Sequence, residues 1–115
     1  MELQDIRRRQ AEFDRRHAGP RPWDEKIDAG SLDVLEHLTV CLAGEVGEFA
    51  NVVKKTVRGD ISFSDAKPAL AEELADAFIY IVKICNQMDV DLESEFMNRL
   101  SFNAERFRRF ETPGA

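Results

Sequence analysis

The 115-residue chain carries 22 acidic against 16 basic side chains, a formal net charge of −6. That balance argues against a nucleic-acid polymer as partner, because binding a phosphate backbone calls for clustered Lys and Arg. The longest unbroken apolar run, Ala77 to Val82, is six residues, where a bilayer span needs roughly twenty. No basic segment followed by an apolar stretch opens the chain, so neither membrane nor secretory leader is expected.

With 43% apolar residues there is material for one core, and residues 1–115 are expected to form a single domain. A third of the residues are charged, which makes a partner subunit a natural way to complete the burial. Two cysteines, Cys41 and Cys85, cannot build a disulfide framework. They read as buried thiols of a reduced, cytoplasmic protein.

The elements follow from the punctuation. Leu3, Ile6, Gln10 and Phe13 recur at helical spacing in a first helix over Leu3 to Arg16, ended by Gly19, Pro20 and Pro22. A loop containing the single tryptophan, Trp23, runs to Gly30. Ser31 is the expected N-cap of a second helix, with Asp33 in its first turn. Its apolar stripe is Leu35, Leu38, Leu42, Val46, Phe49 and Val53, and Arg58-Gly59-Asp60 breaks it after Val57. A third helix is expected over Ala69 to Met88, starting somewhere in the window of Ser64, Asp65 and Pro68. It is apolar around more than half its circumference, as a central helix would be. Val90 and Asp91 make a turn, and a last helix runs from Leu92 to about Phe110. No segment alternates with period two, so the expected fold is all-α, a bundle of four to five helices.

Two pairs of carboxylates sit where such a pattern should be apolar. At 100° per residue Glu45 falls inside the apolar sector of the second helix, and Glu48, three residues on, lies at its edge. Gly44 and Gly47 flank them. Each weakens a helix interior by roughly 1 kcal/mol relative to alanine, which close approach of a backbone or ligand would explain. Glu73 and Asp76 repeat the spacing on the third helix, and Tyr80 follows one turn later. Carboxylates at a core margin are costly unless paired or bound to a cation, and four of them raise one another's pKa. Such hard oxygen donors suit Mg²⁺, with Mn²⁺ as a substitute. A single i, i+3 acidic pair is ordinarily just solvated. The repetition on consecutive helices is what points to a metal. On the last helix Asn103 interrupts the stripe Leu92, Phe96, Leu100, Phe107 and Phe110, with Arg99 and Arg106 alongside. Asn103 satisfies a backbone group, or else these three polar residues face the carboxylates and hold an anionic ligand.

The pattern Glu45-x-x-Glu48, 24 residues, Glu73-x-x-Asp76, within "LAGEVGEFANVVKK" and "LAEELADAFIYIVKI", resembles the MazG-like all-α nucleoside triphosphate pyrophosphohydrolases. The flanks "LQDIRRRQAEF" and "VDLESEFMNRLSFNAERF" and the Trp23 loop look like the dCTP pyrophosphatase branch. The resemblance implies hydrolysis of a nucleoside triphosphate to monophosphate and pyrophosphate, with a pyrimidine deoxynucleotide such as dCTP as substrate and nucleotide-pool house-cleaning as role. By carry-over Glu45, Glu48, Glu73 and Asp76 are the Mg²⁺ ligands, and Glu45 or Glu48 also acts on the attacking water. Glu72 ranks below them as a base. Trp23 and Tyr80 stand where that branch forms its base and sugar pocket, while Arg99 and Asn103 match a basic residue and an asparagine of the last helix. Gln10 replaces a histidine and Lys55 a tryptophan of that branch, which weakens the transfer of substrate. Lys54 is a further candidate for the triphosphate. Members of this size are homodimers or homotetramers. The rival reading is a non-catalytic helical module that binds nucleotide or only dimerises.

Overall fold

The computed structural model describes residues 1–17, 19–20 and 23–114, so Pro22 lies outside the described residues. Among them the chain is all-helical: α1 (Leu3–Arg16), α2 (Leu32–Val57), α3 (Phe63–Met88) and α4 (Leu92–Arg106), followed by a 3-10 turn at Arg108–Phe110. No strand occurs among the described residues. Among the described residues no helix is long and apolar enough to cross a membrane.

The caps differ from expectation at two places. Ser31 does stand at the N-cap of α2, but its hydroxyl makes no capping bond. It is held instead by the preceding loop, accepting from the Asp28 N–H at 3.0 Å and donating to the Lys26 carbonyl at 3.0 Å. α3 begins at Phe63, one residue before the expected window of Ser64, Asp65 and Pro68, and carries Pro68 inside it. Ser62 is the reason: its hydroxyl accepts the Asp65 N–H at 3.2 Å, and that cap nucleates a turn early enough to carry the helix through the proline. Asp91 caps α4 in the same way through the Ser94 N–H at 3.2 Å. α4 ends at Arg106 rather than near Phe110, its last carbonyls being taken up by the tighter turn that follows.

α3 is the central helix, with α2 and α1 packed on it. Leu38, Val34 and the loop residue Ile27 form the best-buried cluster, covered by Trp23, Leu35, Tyr80 and Ile84. Arg7 of α1 donates to Asn86 Oδ1 at 3.1 Å, and the Asn86 amide returns a bond to the Arg7 carbonyl at 3.1 Å. These two bonds lock α1 against the end of α3.

One chain leaves the bundle open along α4. α4 has no buried residue, and the radius of gyration is 17.6 Å, where about 13 Å is usual for a compact chain of about 100 residues. Phe96, Leu100 and Phe110 of the C-terminal segment, together with Val46 of α2 and Leu74 of α3, are all more than half exposed. The apolar stripes predicted for α2 and α4 are real, but part of each faces outward. Cys85 is buried as expected and Cys41 only half-buried.

Candidate active site

α2 and α3 run antiparallel from the Arg58–Ser62 turn, which brings the middle of one beside the middle of the other. Glu45 of α2 meets Glu73 and Asp76 of α3 there, one carboxylate oxygen from each lying within 4.8 Å of the others. Glu48 approaches Glu73 but stands outside that trio and is exposed. A Cβ at Gly44 or Gly47 would meet nothing within 4 Å. Among the described residues, then, no backbone makes the close approach that those glycines suggested, and the space beside them is open.

Glu73 is the electrostatic focus. Its proton is held up to about pH 7, first by the Glu45 carboxyl hydrogen-bonding beside it, then by burial and by the Glu48 charge. Its Oε2 is buried with no hydrogen-bond partner. Three converging hard oxygen donors with one of them orphaned are the donor set that a divalent cation such as Mg²⁺ or Mn²⁺ takes, so the residues fit a metal.

The shift has a thermodynamic consequence. The folded chain keeps the Glu73 proton up to about 7, while the unfolded chain releases it near 4.5. Between those values unfolding releases a proton, so stability is fully present at acid pH and is lost as pH rises. Melting in EDTA should accordingly occur at a lower temperature at about pH 8 than at about pH 5.5. A flat profile would contradict the crowding of these carboxylates.

One helical turn beyond Asp76 is Tyr80, half-buried beside Cys41 and Glu45, its hydroxyl pKa raised by burial first and by Cys41 next. Further along, the Trp23 ring lies 5.8 Å from the ring of His37, and the Lys83 ammonium sits 4.1 Å from the Trp23 ring centre and 5.6 Å from that of Tyr80. Lys83 is paired with Asp14 of α1 at 3.2 Å, and both are buried, Asp14 to 3% exposure. Gln10 donates to the same Asp14 oxygen at 2.9 Å. Thus Trp23, Tyr80 and Gln10 are brought to one side of the acid cluster, although Gln10 is engaged with Asp14 rather than open.

Arg99, Asn103 and Arg106 are not brought there. The Arg99 guanidinium stacks on Phe102 at 4.5 Å and Arg106 on Phe107 at 4.9 Å. Among the described residues no hydrogen bond or ion pair ties these three α4 residues to the acids of α2 and α3. Lys54 is exposed near the end of α2, and Glu72 is exposed on α3. The residues that sequence reasoning missed are Asp14, His37, Lys83 and Gln87. Lys83 had left a signal, as the one charge in the run Phe78 to Cys85.

Residues 34–103 match the MazG nucleotide pyrophosphohydrolase domain. The chain belongs to that family. Both acidic pairs lie inside the matched span. The chain is 32% identical over 109 residues to dCTP pyrophosphatase 1 of Homo sapiens, covering 91% of this chain and 58% of the relative. It is 32% identical over 116 residues to dCTP pyrophosphatase 1 of Rattus norvegicus, with the same coverage. Gene 37 protein of Mycobacterium phage L5 is 34% identical over 76 residues, 64% of this chain and 67% of that protein. The chain thus spans less than two thirds of the length of the dCTP pyrophosphatases it resembles. No solved structure matches it.

Proposed function

We propose that this MazG-family chain hydrolyses a deoxynucleoside triphosphate between its α and β phosphates, with Mg²⁺, in the service of nucleotide-pool house-cleaning in the cytoplasm. The observation that carries the reading is the convergence of Glu45, Glu73 and Asp76 with an orphaned Glu73 oxygen among them. Those three, with Glu48 alongside, would hold the metal. When bound, it supplies the positive charge that phosphoryl chemistry needs on the phosphate oxygens, and Mn²⁺ would serve as well. Glu48, beside the trio rather than in it, would take the proton of the attacking water. Trp23 offers a ring face to the base, and Tyr80, between Trp23 and the acids, a hydroxyl to the sugar. The relatives named dCTP pyrophosphatase favour a cytosine or other pyrimidine base. The test is pyrophosphate release from a deoxynucleoside triphosphate with Mg²⁺. Release should occur and should vanish with EDTA and in Glu48→Gln. Its absence with Mg²⁺ and with Mn²⁺ would leave a nucleotide-binding module.

We further propose that the working form is a homodimer or homotetramer. Apolar side chains on α2, α3 and α4 are exposed well beyond what a monomer ordinarily leaves to water. A neighbouring copy packed on them would bring its α4 to the open space beside Gly44 and Gly47, where Arg99, Asn103 and Arg106 could meet the phosphates. Lys54, near the end of α2, would add charge for the far end of the triphosphate. Sedimentation should give a multiple of 13.1 kDa. A monomeric mass at micromolar concentration would overturn the assembly.

A further inference from the structure

A cavity of about 160 Å³ opens between the first turns of α2, the end of α3 and the Trp23 loop, lined by Trp23, Glu25, Asp33, Val34, His37, Leu38 and Gln87. That is close to the volume of about 150 Å³ that accepts a single benzene ring. Gln87 is 4% exposed and held on two sides by the loop. Its backbone carbonyl accepts the Ile27 N–H at 2.8 Å, and its side-chain Nε2 donates to the Glu25 carbonyl at 2.7 Å. That second bond assigns the amide nitrogen to the loop side and leaves Oε1 as the atom without a loop partner. Oε1 is buried and has no partner, an expensive condition for an acceptor unless something supplies a donor.

The cavity lies in register with the acids. Stepping back along α2 from Glu45 in single turns gives Cys41 and then His37. Stepping forward along α3 from Asp76 gives Tyr80 and then, past Lys83, Gln87. Asp76 and Gln87 are 11 residues apart on one helix, about 16 Å at 1.5 Å per residue, so the cavity lies about three turns beyond the acids.

We propose that Gln87 is the specificity residue of the base pocket, its Oε1 accepting a hydrogen bond from the exocyclic amine of a single-ring base that stacks on Trp23. The inference rests on the nucleotide reading above. Lys83 and Asp14 position Trp23 from its other neighbours, and Gln87 reads the edge.

The experiment pairs a change in the protein with a change in the base. kcat/KM is measured for deoxycytidine triphosphate and for the 2-pyrimidinone analogue that lacks only the 4-amino group. Wild type, Gln87→Leu and Gln87→Glu are compared, each checked by circular dichroism for helicity. Wild type should prefer the amine by at least about tenfold, mainly through KM. Gln87→Leu should lose that preference, and Gln87→Glu, which keeps an acceptor, should retain it. A purely structural Gln87 would lower both substrates alike and leave the ratio unchanged, which overturns the proposal, as would a wild type with no preference. Quenching of the single tryptophan by deoxycytidine and by its des-amino analogue gives the same ratio without turnover. If nothing is hydrolysed, the reaction fails while this proposal is judged on the quenching, and no quenching by either nucleoside overturns it.

Discussion

Glu45→Gln should lower kcat by about a thousandfold or more while leaving the helices folded and raising the melting temperature of the metal-free protein. The two effects have one cause. Glu45 is the group that most strongly holds the proton on Glu73, and it shares a 4.8 Å neighbourhood with Glu73 and Asp76. Without a cation these carboxylates repel, so an uncharged amide of the same shape relieves the cluster. With substrate and Mg²⁺ present, the lost charge is one the cation requires. Calorimetric titration should show Mg²⁺ affinity reduced along with turnover, and the fall of stability between about pH 5.5 and pH 8 should shrink in the variant. Activity near wild type would remove Glu45 from the site.

Lys83→Met should be the most damaging single change to the fold. Asp14 and Lys83 are both buried and paired at 3.2 Å, so removing the ammonium leaves a carboxylate in the interior with, among the described residues, the Gln10 amide as its remaining side-chain partner. Breaking one partner of a buried pair costs about 3–5 kcal/mol, which in a domain of this size lowers the melting temperature by roughly 10–20 °C. Replacing both, as Asp14→Leu with Lys83→Met, should recover most of the loss, because an apolar pair needs no compensation. Thermal melts of the two single variants and the double variant measure this directly. A harmless Lys83→Met would mean that the pair carries little of the packing between α1 and α3. The double variant should also bind nucleotide less well, since the Lys83 ammonium lies over the Trp23 ring.

Much of this is legible in the sequence. Helical period alone places Glu45 with Glu48 and Glu73 with Asp76, and glycine and proline mark the ends of α1 and α2, so the acidic cluster could be anticipated from spacing. α3 starts one residue before the window that Ser64, Asp65 and Pro68 mark because the Ser62 hydroxyl caps it, and the helix continues through Pro68. Where α4 docks is not legible, for a different reason. An apolar stripe states that a face is buried but not which chain buries it, and here one chain leaves Phe96 and Leu100 exposed. The Asp14–Lys83 pair and the Gln87 anchor depend on residues 69 and 62 positions apart meeting in space, which no local pattern reports. Lys83 alone could have been flagged, as a charge inside an apolar run.

The central claim is the bond that is cut. The most direct measurement is chromatographic resolution of all products from a panel of ribo- and deoxynucleoside triphosphates incubated with Mg²⁺, with Glu48→Gln as control. The expected result is nucleoside monophosphate and pyrophosphate in equal amounts from one or a few nucleotides, lost in the variant. Diphosphate plus orthophosphate, or product formation that survives Glu48→Gln, would contradict it.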